Sequence, residues 1–331
     1  MVENSSWILG RIVRDFGMWG HPASKAMAVA NIESTWARTL AKDPAAKKPT
    51  RGGLVVSIYQ PSTRKPAGVP ERDVVYWSGI VTILLQLCVA AIPCAISSNW
   101  GILMITACGT ALSLLTGMLP QWEREKWACR RRSNDTYVLT RGNGAQHAIV
   151  VLGNGRGLNL EDLAAGQSNM DTSTSWSTRI ATVLLAVSWV LLLLTAPGLV
   201  AELWFLIAVG GIGIVHNIVV AGCARRPESF GIPLEFVTAF GQSKVMRTLF
   251  EVEQHYPALG RSMVSEFFSG NLTADEERRW NELEVAAAAA AAAKTMAVNL
   301  NLTAPSPLHT RGTMTRGNNR VEPILPLHNK S

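Results

Sequence analysis

The sequence predicts a mainly α fold: a four-span transmembrane helical bundle built from two hairpins, with a small cytosolic β-hairpin region and a cytosolic helical C-terminal part. Three observations carry this reading. No charged residue lies between Val74 and Trp122, between Ile180 and Ala201, or between Leu203 and Ala224. A helix that crosses a bilayer needs about 20 apolar residues, whereas a helix of a soluble core keeps one wet face. The basic residues gather beside these runs and avoid their short connections, and β-rich phrases lie between the two hairpins.

Residues 1–73 form a cytosolic segment, with a helix or two in the first forty residues and a linker at "AKDPAAKKPTRGG". "GGLVVSIYQP" is apolar and β-branched, and reads as a strand that docks on the later hairpin. No basic start followed by a compact apolar stretch marks a cleaved signal, so the first span is expected to serve as an uncleaved anchor.

Residues 74–120 form the first transmembrane hairpin, with spans near Val74–Ile96 and Trp100–Leu119 separated by Pro93 and the polar "SSNW". Residues 180–222 form the second, with spans near Ile180–Val200 and Leu203–Gly222 divided around Glu202. Arg64, Lys65 and Arg72 precede the first span, a cluster of Arg124, Lys126, Arg130, Arg131 and Arg132 follows the second, and Arg225 and Arg226 follow the fourth. Basic residues resist translocation, so all three long segments, both termini included, are assigned to the cytosolic side. The sequons at Asn4, Asn134, Asn271, Asn301 and Asn329 are then expected to escape glycosylation. The net charge of +7 belongs to these flanks and is not read as a nucleic-acid footprint. The lipid bilayer is the expected partner, and "QWEREKWACRRR" anchors the second span with interleaved indoles and cations.

The spans hold few polar groups. Gln86, His216 and Asn217 are the intramembrane candidates, with Gln86 a hydrogen-bond partner for His216 or Asn217. Gly109, Ser113 and Gly117 in the second span, and Gly210, Gly213 and Asn217 in the fourth, suit close helix packing. They also leave room for a homo-oligomer. No ion-coupling Asp, Glu, Lys or Arg lies inside a span, which weighs against a carrier.

The loop 121–179 holds "TYVLT" and "AQHAIVV", a β-hairpin about "RGNG", then "GNGRG" and a short helix capped by Asn159. Gly153, Gly155 and Gly157 are weak cofactor candidates. A dinucleotide fingerprint needs a third glycine three after the second, and that place holds Leu158. No Lys-Ser/Thr pair follows for a phosphate loop, so a backbone nest for a phosphate or lipid headgroup is the residual option. His147 reads as a strand histidine satisfied by local hydrogen bonds. The five cysteines form no metal or disulfide pattern, and no catalytic motif is present. No cofactor, metal or catalytic residue is assigned.

Residues 223–294 read as a cytosolic helical segment. "PLEFVTAFGQSKVMRTLFEVEQHY" carries an apolar helical stripe, Thr273 and Glu276 form a capping box, and the alanine run 286–293 extends that helix. Residues 295–331 read as a disordered tail.

"YWSGIVTILLQL", "LPQWEREKWACRRR", "LTRGNGAQHAIVVLGNGRGLNLEDLA", "GGIGIVHNIVVAG" and "NLTADEERRW" together resemble a family of filamentous-fungal multi-spanning integral membrane proteins whose activity is unassigned. The resemblance covers roughly residues 52–282. It implies an integral membrane protein and carries no catalytic or ligand residues. The expected role is non-enzymatic: an interaction or assembly protein with a partner at the cytosolic face. The alternatives are a small transporter or channel using His216, Asn217 and Gln86, or a membrane-tethered binding protein or enzyme centred on the Gly-rich loop.

Overall fold

The computed structural model describes residues 4–166, 173–198, 201–268 and 270–303. The chain divides into two units, Met1–Trp280 and Asn281–Ser331. The first begins with α1 (Trp7–Arg14), α2 (Phe16–Trp19) and α3 (Pro22–Leu40), then β1 (Leu54–Pro61). The first hairpin is α4 (Val74–Ser97) and α5 (Gly101–Gly117), continued by α6 (Pro120–Lys126). β2 (Arg131–Ser133), β3 (Tyr137–Thr140), β4 (His147–Val151), β5 (Gly157–Leu158) and α7 (Leu160–Ala165) follow. The second hairpin is α8 (Trp176–Thr195) and α9 (Leu203–Gly222). β6 (Leu234–Gln242), α10 (Val245–His255), α11 (Leu259–Ser262), α12 (Val264–Phe267) and α13 (Ala274–Thr303) close the described chain. The second unit holds the part of α13 beyond Trp280.

Three helices, α4, α8 with its 3₁₀ extension to Gly198, and α9, are long and apolar enough to cross a membrane. The expected second span is a bent pair, α5 and α6 meeting at 46°. α4 starts where Asp73 accepts a hydrogen bond from the Tyr76 amide at 3.0 Å, an N-cap directly before the apolar run. It ends at Ser98, whose φ of 57° turns the chain into "NW". Pro93 costs little there, because it lies in the final turns and its carbonyl accepts from Ser97 Oγ and the Asn99 amide. The third span starts earlier than expected: Ser175 caps α8 at the Thr178 amide, which brings Arg179 into its first turn. α4 packs on α5 and α9, and α5 on α8. The buried centre is small, consisting of Ala90, Ile102 and Val209. Most other apolar side chains of the bundle face outward, as lipid-facing residues must.

The expected β-hairpin is half of a four-stranded mixed sheet, order β3-β4-β1-β6. "LVVSIY" is apolar without alternation because both of its faces are covered. β1 pairs parallel with β4 and antiparallel with β6, so it lies inside the sheet, as the docking expectation required. On one face Ser57 Oγ donates to Ser24 Oγ of α3 at 2.8 Å. On the other, Thr248 Oγ1 of α10 donates to the Leu54 carbonyl at 3.1 Å.

Two expectations are corrected. Residues 234–242 are strand β6, and the helix begins only at Val245. Phe236 and Phe240 share a spacing that suits a helical stripe, but a register shift opposite Ile58 and Tyr59 puts them on opposite sides of the sheet. Phe236 packs on Tyr59 and Phe240 on His255. The second correction concerns the tail: residues 295–303 continue α13, since the alanine run propagates helix beyond its own end. Residues 304–331 lie outside the described residues.

Candidate functional site

The glycines of "GNGRG" are positioned by close approach. A Cβ on Gly153 would stand 1.9 Å from the Asn134 carbonyl oxygen, and one on Gly157 would stand 2.7 Å from Pro61 Cγ. Gly155 takes a φ of 73°. The amides are used internally. Gly153 N donates to Thr136 Oγ1 at 3.3 Å, Gly155 N to the Ser133 carbonyl at 3.1 Å, and Arg156 N to Asn154 Oδ1 at 3.2 Å. A phosphate nest needs its amides free, so this turn is built as a packing joint. Asn159 caps α7 as expected, accepting from the Asp162 amide at 2.9 Å.

The basic cluster divides. Arg130 forms a two-pronged bond with the buried Asp162, at 2.7 and 3.1 Å, and ties β2 to α7. Lys126 lies 5.1 Å from the Trp127 ring centroid. Arg131 and Arg132 are exposed on β2, and Arg124 is exposed on α6. Beside them the Cys129 thiol is pushed up to about 11, first by burial and then by the Asp162 charge, which leaves it protonated and inert.

The intramembrane candidates do not meet one another as expected. Gln86 Nε2 donates to the Val209 carbonyl at 2.9 Å, in space left by Gly213, where a Cβ would come within 2.9 Å of that nitrogen. His216 Nε2 instead meets Ser78 Oγ at 3.1 Å. Both contacts join α4 to α9. Asn217 is exposed on α9. Of the small-residue faces, Gly109 approaches Leu192, while Gly117 and Gly210 have nothing within 4 Å.

The junction between bundle and sheet is a site the sequence reading missed. Arg225 donates to both oxygens of Asp73 at 2.6 and 2.8 Å, which binds the end of the fourth apolar helix to the start of the first. Arg11 of α1 donates to the Ala221 and Cys223 carbonyls at 2.9 and 2.8 Å, satisfying the terminal carbonyls of α9. Asp15 accepts from the Arg225 amide and from Arg14. Phe230, 2% exposed, lies under both guanidinium groups, 5.9 Å from Arg11 and 5.2 Å from Arg225. Partial burial alone would raise the carboxyls of Asp73 and Asp15. The arginine and amide bonds outweigh it and hold both below the ordinary carboxylate range. The position of Asp73 directly before an apolar run was the available signal.

The sheet domain also carries a groove of about 500 Å³ along β3, the edge strand. Leu9 and Val13 of α1, Leu160 of α7, and Met263 and Phe267 at the two ends of α12 line it with apolar side chains, and Asn4, Glu161, Ser265 and Glu266 with polar ones. His147 is corrected as well. Its Nδ1 is buried without a hydrogen-bond partner, its ring packs 5.0 Å from Phe16, and burial lowers its pKa. It is a neutral packing histidine, not one satisfied by local bonds. Among the described residues no group of three or more His, Cys, Asp or Glu is placed to hold a metal ion. No family model, curated protein or solved structure matches the chain.

Proposed function

We propose that this is a non-enzymatic integral membrane protein that presents its sheet domain at the cytosolic face as a docking platform for a protein partner. The groove along β3 carries the reading. An edge strand has unpaired backbone donors and acceptors, and a trough beside it lined by both apolar and polar side chains suits an extended peptide that adds a strand. The ion-paired junction supports the same reading, because a platform fixed to the bundle presents its edge at constant height and orientation.

Four crossings with both ends cytosolic are supported by parity. β1 precedes the first hairpin, β3 and β4 lie between the hairpins, and β6 follows the second. Strands of one sheet share one side of a membrane, so each hairpin must cross an even number of times. That favours the bent pair of α5 and α6 as the return span. The basic flanks favour the cytosol for the sheet. The contacts of Gln86 and His216 favour helix packing over a translocation path.

The test is site-specific photocrosslinking in native membranes, from Leu139 and Met263 beside the groove and from Val285 as a control. A discrete adduct from the two groove positions, absent from the control, is expected. If neither groove position yields an adduct, with a partner or with a second copy, the docking role is wrong.

A further inference from the structure

At the base of the bundle α5 and α6 meet at 46°, with Pro120 opening α6. Higher up, α5 lies against α8 at Gly109 and Leu192. Beyond the bend a cleft of about 390 Å³ opens between α6 and the first turns of α8. Leu119, Trp122 and Glu125 form one wall, and Thr178, Arg179 and Thr182 the other. The cleft lies apart from the β3 groove.

Its depth is set by aromatic residues. Trp122 at the cleft, Trp176 at the start of α8 and Trp77 at the start of α4 are all exposed. Indole rings favour the headgroup layer of a bilayer. The opposite ends of the apolar helices carry Trp100 and Trp204, also exposed. From Trp77 to the end of α4 is about 30 Å at 1.5 Å per residue, one hydrocarbon thickness. The cleft therefore opens at headgroup level, with the exposed apolar Ile180, Val183 and Leu184 of α8 leading inward from it.

Its charges are two and opposite. The Arg179 guanidinium makes no hydrogen bond or ion pair among the described residues. Glu125 is half-buried and accepts from Gln121 at 2.8 Å, and among the described residues no cation pairs with it. Two of the three threonine hydroxyls are already engaged, Thr178 with Ser175 and Thr182 with the Thr178 carbonyl, and Thr174 adds a neutral hydroxyl at the mouth. The phosphate-binding charge falls to Arg179 alone.

We propose that this cleft binds the headgroup of a zwitterionic phospholipid with a primary amine. The phosphate rests on Arg179, and the ammonium donates to Glu125 beside the Trp122 ring. An anionic headgroup would leave Glu125 facing a like charge. A quaternary ammonium could not donate to the carboxylate. The apolar track along α8 takes the acyl chains, which a soluble phosphate ester lacks.

The experiment uses the full chain, reconstituted in vesicles of equal phosphatidylethanolamine, phosphatidylcholine and phosphatidylglycerol. The protein is extracted into mild detergent and its retained lipid is quantified by mass spectrometry. Phosphatidylethanolamine is expected to be retained about tenfold over either of the other two lipids, the scale of one charge-assisted bond. Arg179→Gln should abolish the enrichment and Arg179→Lys should keep most of it. Glu125→Gln should retain lipid but lose the preference for the ethanolamine head. Thermal melting of each variant reports folding, and any one folded variant suffices. Retained lipid in the vesicle's own proportions overturns the proposal. So does an ethanolamine preference that survives either charge removal in a folded variant.

Discussion

The sheet domain sets glycines against neighbouring backbone, whereas the glycines of the helical bundle meet side chains or open space. In the sheet domain a Cβ on Gly153 or Gly260 would lie within 2.2 Å of a backbone oxygen. In the bundle Gly117, Gly210, Gly211 and Gly222 have nothing within 4 Å. The sheet domain closes on itself, with β1 residues fully buried and strands joined by tight backbone approaches. The bundle turns its side chains outward and joins its helices at a few polar points. Water drives the first to exclude every gap. Lipid imposes no such demand, so packing there is looser and polar contacts carry more of the specificity.

Four substitutions, with Gly210→Ala as a control, sharpen this contrast. Gly153→Ala should be the most damaging. A backbone clash of this kind sits at the upper end of overpacking, about 3 kcal/mol. Pulse proteolysis of the full chain in detergent should show the sheet domain opening, while Gly210→Ala should leave the melt unchanged. A wild-type melt for Gly153→Ala would mean that the turn at Asn134 is free to move.

Arg225→Ala comes next, at about 2 kcal/mol. That is less than a fully buried pair, because both side chains of the fork remain about one-fifth exposed. Asp73 is held below its ordinary value in the fold, so the stability it contributes is full at neutral pH. It is lost only as pH falls through that lowered value, below the usual carboxylate range near 4. Hydrogen exchange at Ala221 and Cys223 should rise in the variant at pH 7, and in wild type only in stronger acid.

Asn159→Ala removes the cap of α7 and should cost about 1 kcal/mol in chemical denaturation. The smallest effect is expected from Gln86→Leu. Hydrogen bonds between membrane helices average about 0.6 kcal/mol, and steric trapping in bicelles resolves a loss of that size. A loss several times larger would show that the bundle depends on this contact more than lipid-phase helices usually do.

The elements legible in the sequence are those set by near neighbours. The uncharged runs, the hairpin between Tyr137 and Val151, the Asn159 cap and the capping box at Thr273 need only a few adjacent residues. Thr273 Oγ1 and Glu276 do bond, at 2.8 Å. What escaped depends on distant partners. β6 is a strand because β1 lies beside it, although its own aromatic spacing also suits a helix. Gly153 is a packing joint because Asn134 lies against it. Arg225 looked like an ordinary basic flank and Arg11 carried no signal of its own, and only the fold brings them to Asp73 and to a helix end.

The interleaving of strands and hairpins also governs biogenesis. β1 is the first strand to leave the ribosome and its antiparallel neighbour β6 follows only after both hairpins have been synthesised. β4 is made between the two hairpins and can mate with one side of β1, so the other side stays open until β6 arrives.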